Sequence, residues 1–144
     1  MKRFKSLQKS LKNTYFKWVK LAEIGTIIPG KGLLKKDLVS NGFPAIHYGQ
    51  IYKYYRFSTN KTLSYVTNDT AEKLIKAKEN DLLIVTTSEN VKDILKAVAW
   101  MGNKVVISSD MVILRHNMNV KYLSYFFQTH LFQTKKKILL EVPR

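Results

Sequence analysis

Apolar residues are unevenly spaced along this chain, and their spacing predicts both strands and helices. Asp81–Thr87 (DLLIVTT) is a run of leucine and β-branched side chains, which predicts a buried strand. Met111–Arg115 predicts another. Val98–Met101 and Val105–Ile107 flank Gly102-Asn103, the signature of a hairpin. Phe43–Gln50 follows the Asn41-Gly42 turn signal and predicts a strand, which the aromatic run Ile51–Phe57 extends or follows as a loop. Helical spacing occupies Asn68–Lys78. There Asn68, Asp69 or Thr70 can cap the start, Glu72 suits the positive end, and Lys76 and Lys78 suit the negative end. Val91–Lys96 predicts a short helix capped by Ser88 or Asn90. In Val120–Lys136, Tyr122, Leu123, Phe126, Phe127, Leu131 and Phe132 recur at helical spacing, predicting one long amphipathic helix capped by Asn117 or Asn119. Nearer the start, Phe4, Leu7 and Leu11 give a weak amphipathic leader. Leu21–Ile24 predicts a helical turn that a left-handed Gly25 would close, and Pro29–Gly32 reads as a loop. The sum is a single α+β domain behind a basic leader.

At 144 residues and 45% apolar content, the chain can bury a core. It has no cysteine, which excludes disulfides, thiolate metal sites and thiol nucleophiles, and suits a reducing cytoplasm. No apolar run has the length of a membrane span, and the N-terminus lacks the apolar stretch of a secretory signal. Charge changes the picture most. Lys and Arg number 25 against 10 Asp and Glu, a net charge of +15. The excess is segregated: residues 1–20 hold seven cations and no acid, residues 31–61 hold six cations against Asp37, and residues 135–137 are all lysine. A balanced domain carrying separate basic segments points to a polyanionic partner.

The chemistry of catalysis is not visible. Gly30-Lys31-Gly32 lacks the companions of a phosphate-binding loop. His47, His116 and His130 are scattered, the acids do not cluster as a divalent-metal nuclease needs, and Ser108-Ser109-Asp110 reads as a polar turn. No residue is assigned a catalytic or metal-binding role.

An ordered set of motifs carries a resemblance. Trp18-x-x-Leu21-x-Glu23-Ile24-Gly25, Pro29–Gly32, Gly42–Tyr52 (GFPAIHYGQIY), Asn80–Glu89 (NDLLIVTTSE), Ala97–Ala99, Val106–Arg115 (VISSDMVILR) and Tyr122-Leu123-x-Tyr125-Phe126-Phe127 follow one another across residues 16–137. In this order the chain resembles a target recognition domain of the specificity subunit of a type I restriction–modification enzyme. The resemblance implies one such domain, with a twisted, mostly antiparallel sheet, short helices and a C-terminal amphipathic helix. It also implies a non-catalytic protein that reads one half of a split double-stranded DNA target. Methyltransferase and restriction subunits would be its partners, and S-adenosylmethionine, ATP and magnesium would belong to them rather than to this chain. Only one recognition domain is present, and the motifs stop where a spacer helix would follow. The chain is therefore expected to be a fragment, a truncated product or a half-subunit, with a second recognition domain or a second copy supplying the other half-site. Residues 1–15 would be a leader and 138–144 a tail, whose Glu141–Arg144 resembles the remnant of a cleaved tag.

Within that reading, side chains divide by what they can contact. Lys31, Lys35, Lys36, Lys53 and Lys61 suit phosphates, as does Lys92. His47, Gln50 and Arg56 can address base edges. Tyr48, Tyr52, Tyr54 and Tyr55 crowd the same stretch; Tyr48, Tyr52 and Tyr54 are candidates for sugar and phosphate contact, while about half of the four are expected to pack against the sheet. A second candidate is the polar loop Thr86–Lys92, with Ser88 and Asn90 as readers. A general RNA- or ribosome-associated binding protein is the alternative these basic and aromatic residues leave open, and a nuclease with an unrecognised site is a third.

Overall fold

The computed structural model describes residues 19–88 and 91–141. The leader 1–15, Asn90 and residues 142–144 of the tail lie outside the described residues, as do the side chains of Tyr52, Val91 and residues 136–141. In chain order the elements are α1 (Leu21–Ile24), β1 (Gly25–Pro29), a 3₁₀ turn (Lys35–Asp37), β2 (Phe43–Ile46), α2 (Tyr48–Lys53), β3 (Ser58–Thr59), β4 (Ser64–Val66) and α3 (Asn68–Glu72). There follow β5 (Lys76–Ala77), β6 (Leu82–Val85), a 3₁₀ turn (Val91–Asp93), β7 (Ala97–Trp100), β8 (Val105–Ile107), β9 (Met111–His116), α4 (Val120–Phe127) and α5 (His130–Glu141).

These strands build two sheets rather than one. A five-stranded sheet has the order β1-β9-β6-β7-β3 and a four-stranded sheet the order β4-β2-β8-β5. Pairing is antiparallel except for β2 with β8 and β3 with β7. The fold class is α+β, with mostly antiparallel pairing and short helices.

Side-chain alternation sorts the apolar residues into three cores. Leu83, Val85, Val98, Trp100, Met111 and Ile113 of the five-stranded sheet face Ile46, Ala77, Val105 and Ile107 of the four-stranded sheet. The other face of the large sheet, Leu82, Ile84, Ala97, Ala99 and Leu114, is covered by Val120, Leu123 and Phe127 of α4. On the outer face of the small sheet Ala45, Val66 and Val106 pack with Leu33 and with Ala71 of α3. The molecule is thus layered helix, sheet, sheet and helix-with-loop. Every residue of β6, β7 and β8 is buried, because these strands have a packed layer on each face.

Several boundaries differ from the sequence expectation. The Gly102-Asn103 turn joins no hairpin: β7 lies in the large sheet and β8 in the small one, so the chain crosses between sheets there. The indole N–H of Trp100 donates to the Asn103 carbonyl within this crossing. The strand expected over Phe43–Gln50 stops at Ile46, since His47 caps α2. The helix expected over Asn68–Lys78 ends at Glu72 and is capped by Thr67, whose hydroxyl accepts from the Thr70 amide (3.2 Å). Lys76 and Ala77 instead pair with β8, burying Ala77 between the sheets. Val91–Lys96 is only a 3₁₀ turn over Val91–Asp93. Gly25 is fully extended and begins β1 rather than closing α1 in the left-handed region.

The long C-terminal helix is two helices. Asn119 caps the first as expected, accepting from the Tyr122 amide (3.0 Å). Thr129 breaks the run: its hydroxyl donates to the Phe126 carbonyl (2.7 Å) and accepts from the Phe132 amide (3.3 Å). A threonine hydroxyl that bonds the local backbone in this way competes with helix continuation. The bend lets Phe132 stack on Phe127 at 4.3 Å between ring centroids.

Gly30 fixes how the sheets meet. Its amide donates to the Met111 carbonyl (2.9 Å). A Cβ there would lie 2.2 Å from the Ser108 carbonyl oxygen and 3.1 Å from two carbons of Ile107. Backbone cannot retreat as a flexible side chain can, so Gly30→Ala should destabilise the domain by about 1–3 kcal/mol, measured by urea unfolding.

Candidate nucleic-acid interface

Strand register places several loops at one end of the molecule. β1 and β6 both run antiparallel to β9, with Pro29 opposite Val112 and Val85 opposite Met111. Residues 30–32 and 86–88 therefore emerge on either side of the start of β9. Thr86 ties the second loop down, its amide (3.0 Å) and hydroxyl (3.1 Å) both donating to the Asp110 carbonyl. β2 and β8 run parallel, Ile46 opposite Ile107, so His47 and Ser108 leave the small sheet together at this same end.

His47 starts α2. Its Nδ1 accepts from the Gly49 amide (3.3 Å), and the Tyr48 amide donates to the buried Ser108 hydroxyl (3.0 Å). An accepting Nδ1 leaves the ring proton on Nε2. Burial holds the His47 pKa below the ordinary value of 6.5; Asp110 opposes this and Lys35 adds to it. A neutral imidazole with a free-standing N–H is suited to hydrogen bonding rather than to charge pairing.

Gln50 is committed internally. Its Oε1 accepts from the His47 amide (3.0 Å) and its Nε2 donates to Ser64 Oγ (3.0 Å), which in turn donates to the Ala45 carbonyl (3.0 Å). Both ends of the amide hold the start of α2 in place. Lys31, Lys35 and Lys36 are exposed around this end. The 3₁₀ turn carrying the last two is closed by Asp37 accepting from the Leu34 amide (3.0 Å).

At the other end of α2 a cleft of about 490 Å³ is lined by Ile51, Tyr55, Arg56, Phe57, Lys92, Lys96, Ala97, Gln128 and Gln133. Arg56 and Lys92, remote in sequence, meet here. Lys96 was not singled out by the sequence, and it is placed by an unusual backbone. Leu95 is held at φ 66° by its amide donating to the Val85 carbonyl (2.7 Å), and Lys96 pairs with Asp93 at 3.1 Å. Gln128 and Gln133 were missed too, their polarity being ordinary for a helix face.

Other candidates separate. Lys53 and Tyr54 are exposed where α2 ends, and Ser88 is half-buried beyond the Thr86 anchor. Tyr48 and Tyr55 pack against the inter-sheet core; the Tyr55 hydroxyl accepts from the Leu63 amide (3.0 Å), and burial pushes its pKa up. Lys61 lies apart. It follows Thr59, whose partner Trp100 ends β7 at the opposite end of the large sheet from residues 86–88. Among the described residues no group of three His, Asp or Glu could hold a metal ion, and no helix is long and apolar enough to cross a membrane.

Solved structures share this fold. The HsdS subunit from Thermoanaerobacter tengcongensis matches 83% of this chain with a TM-score of 0.55 and 17% identity. A chain from a structure describing complex assembly and conformational transition of the type I R-M system matches 96% of it with a TM-score of 0.62 and 16% identity. This chain spans 28% and 36% of those two chains. Its fold is that of part of a type I restriction–modification HsdS subunit. No family model matches the sequence, and no curated protein matches it.

The depressed His47 pKa has a testable sign. Between the folded value and 6.5 the unfolded chain binds the proton more readily, so this group's contribution to stability is present above 6.5 and is lost as pH falls through the folded pKa. NMR titration should find His47 titrating below 6.5, with Lys35→Ala raising its pKa and Asp110→Asn lowering it further.

Proposed function

We propose that this chain reads double-stranded DNA as a non-catalytic recognition domain of a type I restriction–modification complex. The observation that carries the reading is the convergence of Lys31, Lys35, Lys36, His47 and the Thr86–Ser88 loop on one end of a fold shared with HsdS. Exposed lysines there supply phosphate contacts, while His47 Nε2–H and the hydroxyls of Thr87 and Ser88, beyond the Thr86 anchor, supply base-edge hydrogen bonds. Arg56 and Lys92 extend the positive surface along α2. One such end spans one half of a split site, and a second recognition domain or a second copy would read the other half. Methyl transfer and restriction, with S-adenosylmethionine, ATP and magnesium, would fall to partner subunits in the cytoplasm.

The internal bonding of Gln50 changes its expected role. It acts on DNA through His47, by holding the residue at the head of α2, rather than by touching a base.

Binding to a sequence selected from a random duplex pool tests the reading. If five or six cations meet phosphates, log K should fall against log salt with a slope of roughly −5. Lys35→Ala with Lys36→Ala should weaken selected and random duplexes alike and flatten the slope by up to about two. His47→Ala should cost about 1–3 kcal/mol on the selected sequence and little on random DNA. Tighter binding to structured RNA than to any duplex, or failure to enrich a sequence, would overturn the assignment.

A further inference from the structure

A second surface has a different chemistry. Residues 56–57 are strapped along α4: Gln128 Nε2 donates to the Arg56 carbonyl (3.1 Å) and Ser124 Oγ to the Phe57 carbonyl (2.5 Å). This strap sets the Phe57 ring against Tyr125, 5.7 Å between centroids and 30° between planes. Both rings remain partly exposed. Phe57 and Tyr125 are each 43% exposed, and Tyr122, one turn earlier on α4, is 57% exposed. Phe57 also lines the cleft with Arg56, Lys92 and Lys96, so an aromatic shelf stands directly beside a group of cations.

We propose that this shelf binds unpaired nucleotides of a single-stranded nucleic acid. Bases would stack on Tyr122, Tyr125 and Phe57, and their phosphates would lie along the cleft cations. Duplex DNA hides the faces of its bases, so only an unpaired strand can use exposed rings in this way; a shelf of rings beside basic side chains offers base faces and phosphates each a partner. The shelf goes beyond the duplex-reading end, and its rings are separate from that end although Arg56 and Lys92 border both surfaces.

The test is fluorescence anisotropy with labelled oligo-dT and oligo-rU of about ten nucleotides, beside a duplex of equal length. The two single strands distinguish DNA from RNA as the source. Tyr122→Ala with Tyr125→Ala should weaken single-strand binding by about tenfold or more and leave duplex binding within about twofold. Tyr122→Phe with Tyr125→Phe should keep it, because the ring and not the hydroxyl does the stacking. On the unaltered protein, NMR should show ring protons of both tyrosines moving upfield as oligo-dT or oligo-rU is added. The proposal is overturned if neither strand shifts those protons, if the alanine changes leave single-strand affinity intact, or if they weaken duplex and single strand equally.

Discussion

The arrangement depends on three central strands being packed on both faces. β6, β7 and β8 have no side open to water, so a polar side chain along any of them would have to be desolvated. Polar chemistry is therefore pushed to where strands end. Asp81, just before β6, is buried and satisfied by the Arg115 guanidinium through two bonds (3.1 and 2.8 Å) and by the Lys78 amide (2.8 Å). At the opposite end, Thr86, Ser108 and His47 use hydrogen bonds to the backbone to fix loops that face solvent. One end is closed by an ion pair, and the other is left open with lysines around it.

Much of this was legible in the amino-acid order, and the failures have physical causes. The buried runs at 82–85 and 111–115 became strands because no competing signal opposed them. Gly102-Asn103 has the composition of a hairpin turn, but composition does not say whether flanking strands share a sheet. Here the two strands face each other across a core instead of pairing. Lys76 and Ala77 fit a helix locally and were drawn into a sheet by the space beside β8, a case of tertiary packing outweighing propensity. The break at Thr129 rests on one hydroxyl, which periodicity does not see.

The candidate site was half legible. Its basic residues and its two main segments were visible, and the fold brings them together through residues 108–111. What a linear reading could not supply was the commitment of each polar side chain. Gln50 and His47 look equally able to read a base, yet the glutamine amide is consumed by the protein and the imidazole keeps one nitrogen unspent. Lys61 sits among basic neighbours in sequence and is carried away from them by β3.

The parallel pairing of β2 with β8 sets the order in which this chain can fold. The Tyr48 amide donates to Ser108 across 60 positions of sequence, and among the described strands β1 pairs with β9 alone. A nascent chain ending anywhere before residue 105 has β2 lacking β8 and β1 lacking β9. Contacts so distant in sequence demand loop closure before they return any stability, which slows folding. β1 must therefore wait for the last strands, and during synthesis its pairing edge stays open until β9 arrives.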